Sequence, residues 1–206
     1  MPAYASTIRR PPRTLTDADQ ARVLKVTGEH RDGFRDHVVL SLALGTALRE
    51  HEIAGLDVGD ILNESGRVRR LVQLRVFKRS SAEPARQEVV IPDACWYKMT
   101  KFIEWKRARG ESLEPDAPLF LSRRRLRIAT RTLRAMFKRW QVRAGLDRLH
   151  TFHGLRHSAI SNAYRRESRD IRLAQRMARH KNIATTMIYT EPSDQDVEDA
   201  FRRQPC

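Results

Sequence analysis

The chain has 206 residues, 40% of them hydrophobic, which is enough for one sizeable core or two small domains and unlike a disordered protein. A formal net charge of +15 is far more than solubility requires and implies a large polyanionic partner, nucleic acid by default. Two cysteines, Cys95 and Cys206, exclude a disulfide framework and a thiolate zinc site; the broken apolar stretch VVLSLALGTAL and an N-terminus without an apolar core speak against a membrane span or signal peptide, so a cytoplasmic location is expected.

Residues 1–13, with RRPPR at their end, read as a flexible basic arm. TLTDADQARVLKVTG carries a helix signature, with Thr16 as N-cap, Asp19 at the third helical position and apolar Val23, Leu24 and Val26. DGFRDHVVLSLALG predicts a second helix, apolar nearly all round and therefore central, ended by Gly45. REHEIAGL predicts another helical piece with Arg49 and Glu52 one turn apart and Ile53 and Leu56 on its buried side. The period then changes. RVRRLVQLRVF alternates like a strand, QEVVIP is a second short strand stopped by Pro92, and the linker KRSSAEPAR makes the pair a hairpin with Lys78 where the first strand ends.

DACWYKMTKFIEWKRARG predicts a helix from Asp93 to Gly110, and TRTLRAMFKRWQVRAG another, with Leu133, Met136, Phe137 and Trp140 on its core face. Thr151 is placed to cap a helix through Tyr164, DIRLAQRMARH predicts the next, and PSDQDVEDAFRR adds a short terminal helix with Ser193 as its cap. The fold class expected is mainly helical α+β with a small antiparallel hairpin or sheet. Positive charge is concentrated between residues 121 and 148, where Arg123, Arg124, Arg125, Arg127, Arg131, Arg134, Lys138, Arg139, Arg143 and Arg148 face only Asp147. That stretch is the expected phosphate-contacting surface, although a solvated helix face would look the same in isolation.

HTFHGLRHSAIS, residues 150–161, holds three histidines and an arginine within eight positions. A zinc site from His150, His153 and His157 is disfavoured, because His150 precedes the helix and no Asp or Glu stands nearby to ligate or to orient a ligand. His153 and Arg156 are three apart, on one face near the positive end of a helix, where a phosphate is well received. Taken alone this spacing is weak, since structural His-Arg pairs near helix starts are common.

The order of GTALREHEIAGLDVGDI, the hairpin lysine, HGLRH and ARHKNIATTMIYT resembles the catalytic domain of the tyrosine recombinase (phage integrase) family. Residue by residue the resemblance picks out Arg49, Lys78, His153, Arg156, His180 and Tyr189, over a match from about Thr14 to Tyr189. It implies DNA strand cleavage and ligation through a 3′-phosphotyrosyl intermediate, with no metal, nucleotide or other cofactor. The residue types suit that chemistry. Two guanidiniums stabilise charge growing on the nonbridging phosphate oxygens. A tyrosine with a reference pKa of about 10 needs help losing its proton, a task for His153. Lys78 is the candidate acid for the leaving 5′ oxygen, with Lys181 and Lys101 not excluded. His180 is expected on a phosphate oxygen, Glu52 behind the arginines and histidine, and His157 in packing or support.

Two departures from the family pattern stand out. Ala178 and Arg179 occupy the place where Leu-Gly commonly precedes the third-motif histidine, which changes the local turn and charge, and the glycine-rich turn often beside the hairpin lysine is missing. The expected organisation is an arm (1–13), a catalytic domain (14–190) and a tail helix (191–206) that docks either in a neighbouring protomer or on its own core. The resemblance further implies duplex DNA as substrate, four protomers on two synapsed sites with a monomer or weak oligomer alone, and an N-terminal DNA-binding domain absent or supplied by another chain. The competing expectations are a type IB topoisomerase, which uses similar residues without synapsis, and a non-catalytic DNA-binding regulator.

Overall fold

A computed structural model of the chain describes residues 14–74, 87–166, 169–189 and 201–204. It opens on α1 (Asp17–Glu29), started as expected by a capping box: the Thr16 hydroxyl accepts the Asp19 N–H at 3.1 Å, and the Asp19 carboxylate accepts the Thr16 N–H in return. Next is α2 (Phe34–Thr46), whose Val38, Val39, Leu40, Ser41, Leu42 and Ala43 are all buried. It is the central helix, packed on α1, on α5 (Asp93–Ala108) and on α7 (Phe152–Arg166). Gly45 does not end it. The helix continues to Thr46 and is capped by Ala47 in the left-handed region, at φ 52°. Gly45 is an interior packing residue, because a Cβ there would stand 2.6 Å from the Cys95 sulfur of α5.

After α2 come the short helices α3 (Glu50–Gly55) and α4 (Val58–Ile61), then strands β1 (Leu71–Leu74) and β2 (Gln87–Val90). The strands pair antiparallel, with Leu71 opposite Val90 and Leu74 opposite Gln87. Val72, Leu74 and Val89 turn inward onto the core. The remaining residues of the hairpin, Lys78 among them, lie outside the described residues.

Helix α6 (Thr130–Arg143) buries Leu133, Met136, Phe137 and Trp140, the stripe that its sequence spacing predicts. Its Trp140 indole donates to Asp36 of α2 at 2.8 Å, and Arg35 and Arg139 add further bonds to the same buried carboxylate. Asp36 thus ties α2 to α6, with its charge compensated by two arginines and a third bond from the neutral indole. Helix α7 is capped by Thr151, whose hydroxyl accepts the Gly154 N–H at 3.2 Å.

A second, smaller core lies beside the first. Ala47, Ala159, Ile160, Ala174 and Ala178 bring the end of α2, the middle of α7 and α8 (Ile171–Ala178) together, with Tyr164 and Tyr189 packed against them. Small side chains let these elements approach closely, and α9 (Ala184–Met187) then carries the chain back over α8. The proposed terminal helix is described only at residues 201–204, where Phe201 is exposed; Ser193, Val197 and Ala200 lie outside the described residues. No helix among those described is long and apolar enough to cross a membrane.

Candidate active site

Five of the six residues picked out by the motif pattern fall among the described residues, and the structure gathers them where α3, α7, α8 and α9 meet. Arg156 enters from α7 and is almost wholly buried. Its Nη1 donates to the carbonyl of Ala47 and its Nη2 to the carbonyl of Ala178. Those carbonyls belong to the C-terminal ends of α2 and α8, so one guanidinium closes two helix ends that carry partial negative charge. Burial, reinforced by the charge of Arg49, lowers Arg156 to about 10. It remains a cation at neutral pH.

Arg49 is the N-cap residue of α3. Its backbone N–H and its Nη1 both donate to Glu52, at 2.7 and 2.9 Å, which fixes the side chain over the first turn. Glu52 is buried and also receives Arg179 Nη2 at 2.6 Å. It therefore supports two arginines, one of them a residue that sequence reasoning noted only as a departure.

His180 follows α8. Its Nε2 accepts from Arg156 Nη2 at 3.3 Å, leaving Nδ1–H to donate to the buried Thr186 hydroxyl at 3.0 Å. Burial, with Arg156 next in effect, lowers its pKa to about 4, so the ring is neutral at physiological pH. Tyr189 comes nine positions after His180, at the end of the short turn that follows α9, with its ring 6.0 Å from that of His180.

The tyrosine hydroxyl meets His157, at 2.5 Å from Nδ1. Burial and the neighbouring His153 hold His157 down at about 4, while burial raises Tyr189. Both partners are therefore neutral, and the phenol donates to the imidazole. His153, expected to stand there, instead presents its ring edge-on to His157 with centroids 4.4 Å apart and is itself exposed. One helical turn separates the two histidines, and both project from the same side of α7. The backbone of His150 is clamped on Gln141 through two hydrogen bonds, at 2.6 and 3.0 Å. Among the described residues, no group of three or more His, Cys, Asp or Glu is arranged to hold a metal ion.

The basic stretch divides in two. Arg127 pairs with Asp57 at 2.5 Å and reaches the carbonyls of Gly55 and Leu56. Arg134 makes a two-pronged pair with Glu50, and Arg139 reaches Asp36. Arg123, Arg124, Arg125, Arg131 and Lys138 are exposed, with Arg125 in the left-handed region at a turn. Of the alternative acids, Lys101 is engaged with Glu104 on the exposed side of α5, and Lys181 is exposed beside His180.

The phage integrase family model matches residues 13–196. Tyrosine recombinase XerC of Caldanaerobacter subterraneus subsp. tengcongensis is 27% identical over 172 residues, covering 83% of this chain and 45% of that protein. Tyrosine recombinase XerC of Haemophilus influenzae is 28% identical over 193 residues, covering 94% of this chain and 61% of that one. The chain thus spans about half the length of the curated relatives it matches. Among solved structures, XerA recombinase superposes with a TM-score of 0.75 at 23% identity, over 95% of this chain and 66% of the other. A lambda integrase dimer bound to a COC′ core site gives 0.61 at 19% identity, over 95% of this chain and 64% of that one. The two structures share the fold described above.

Proposed function

The chain belongs to the phage integrase family, and from that premise we propose that it is a site-specific recombinase that cuts and rejoins duplex DNA through Tyr189. The Tyr189 oxygen bonds to the scissile phosphorus, the bond from phosphorus to the 5′ oxygen breaks, and a 3′-phosphotyrosyl linkage and a free 5′ hydroxyl result. Attack by the 5′ hydroxyl of an incoming strand reverses the step, so bond energy is conserved. The observation that carries this reading is the seat of Tyr189, its hydroxyl on neutral His157 and its ring beside His180, with Arg156 bonded to that same histidine.

His157 Nδ1 takes the phenol proton as the tyrosine attacks, in place of His153. Arg49 and Arg156 stabilise the charge that grows on the nonbridging oxygens, and His180 bonds one of them. Lys78 is the proposed proton donor to the leaving oxygen. The exposed Arg123, Arg124, Arg125, Arg131 and Lys138 bind DNA phosphates, while Arg127 and Arg134 do so only by sharing their carboxylate partners. Four protomers assemble on two sites, and residues 191–206 dock either in a neighbouring protomer or on their own core.

Incubation with nicked suicide duplexes carrying candidate sites, followed by denaturing gels, should trap a covalent adduct. Tyr189→Phe should abolish the adduct and leave duplex binding within about twofold, since one hydroxyl is lost from a surface dominated by arginine. An adduct that persists in Tyr189→Phe would show that another side chain is the nucleophile.

A further inference from the structure

Arg179 carries three unfavourable features at once. It is a non-glycine residue at φ 53°, where a Cβ is crowded against the backbone. Its charged side chain is only 8% exposed. Its Nε and Nη1 are buried without a hydrogen-bond partner among the described residues. A helix C-cap of this geometry is ordinarily made by glycine, which would remove all three. Such a residue is a poor candidate for a purely structural role.

Its one ion pair among the described residues indicates what it does. Glu52 is the carboxylate that Arg49 and Arg179 share, Oε1 taking Arg49 Nη1 at 2.9 Å and Oε2 taking Arg179 Nη2 at 2.6 Å. Arg156, the third guanidinium, is held by backbone carbonyls. Among the described residues of this cluster, two arginines thus share the Glu52 carboxylate and the third has no carboxylate of its own. Without Arg179, Arg49 and Glu52 would form a balanced pair, and the charge available to a phosphate would be largely that of Arg156.

We propose that Arg179 is a positioning residue for the scissile phosphate: by occupying Glu52 it leaves Arg49 and Arg156 with an uncancelled positive charge that the DNA phosphate neutralises. The proposal rests on the recombinase reading above. It makes the cluster electrostatically incomplete in the free protein and complete in the complex, most of all when the pentavalent phosphorus carries its additional charge.

Suicide duplexes should be compared in two forms, one with an ordinary scissile phosphodiester and one with an uncharged methylphosphonate there. On the diester, Arg179→Gly should slow adduct formation by about tenfold or more, whereas on the methylphosphonate it should match the parent within about threefold, because no charge remains to be met. Arg179→Lys, which keeps both the charge and the unfavourable backbone, should recover most of the rate on the diester. The melting temperature of Arg179→Gly should equal or exceed that of the parent, and inorganic phosphate should raise it less than it raises the parent's. An equal loss on both substrates, no loss on the diester, or a lysine variant as slow as the glycine one would overturn the proposal. If the parent forms no adduct on any duplex, the recombinase reading is what fails, and the phosphate-dependent melting shift decides on Arg179 by itself: an equal shift in parent and Arg179→Gly rejects it.

Discussion

Tyr189 and His157 form a pair in which each partner is held in its neutral state by the same burial. Under the proposed reaction, the phenol is stored protonated against the group that takes its proton, and transfer awaits a phosphate whose developing charge makes it favourable. His157→Ala should therefore lower adduct formation by about 100-fold, and His153→Ala by less, when single-turnover rates are compared. The low pKa values also affect folding. His157 and His180 sit near 4 in the folded chain, against about 6.5 when exposed. The unfolded chain binds more protons between those values, so stability is complete above about 6.5 and declines as pH falls toward 4. Thermal melts across that range should show the decline, and a His157→Gln, His180→Gln double variant should flatten it. That Arg156, His180 and Tyr189 come together was legible in HGLRH and in the position of Tyr189, which are local patterns. Which histidine touches the tyrosine was not. That depends on how the turn after α9 brings Tyr189 back to α7, and no spacing within one helix reports it.

The elements differ in how much of their form is local. Thr16 with Asp19 starts α1 through bonds within one turn, and the stripe on α6 follows from a period of 3.6, so both are visible in the sequence. Gly45 reads as a helix end because glycine is common there, yet its role lies in α5, where the Cys95 sulfur fills the space a side chain would need. Gly45→Ala should destabilise the chain by about 1–3 kcal/mol despite alanine's better helix propensity. Adding Cys95→Ala should restore most of the loss in denaturant melts. Equal stability of Gly45→Ala and the parent would mean that the contact gives way freely. Asp36 is a second case of remote control. Its partners Arg139 and Trp140 lie 103 and 104 residues away, and Asp36→Ala should cost about 3–5 kcal/mol by leaving buried donors unpaired.

Over the whole molecule, the excess of positive charge is unevenly available. Counting residues 121–148 alone leaves ten basic side chains against one acid, but Asp57, Glu50 and Asp36 return from earlier in the chain to engage Arg127, Arg134 and Arg139. A local count cannot see partners 70 to 103 residues distant. Duplex affinity should fall steeply between about 50 and 200 mM salt, and Arg123→Ala, Arg131→Ala or Lys138→Ala should each reduce the slope of log affinity against log salt by about one where that side chain meets a phosphate. Arg127→Ala and Arg134→Ala should change it less. Equal effects at all five positions would erase the distinction between occupied and available charge.

The clamp on Arg156 bears on how such chains diverge. A guanidinium that closes the C-terminal ends of α2 and α8 contributes to folding before any DNA arrives. Under the proposed function, a descendant that lost strand cleavage but still bound DNA would remain under pressure to keep this arginine, since discarding it opens two helix ends in the interior. Tyr189, resting on a small alanine-rich cluster, is under no comparable constraint. Among diverged copies, retention of the arginine would mark a shared fold, and loss of the tyrosine would be the earlier sign that catalysis had been abandoned.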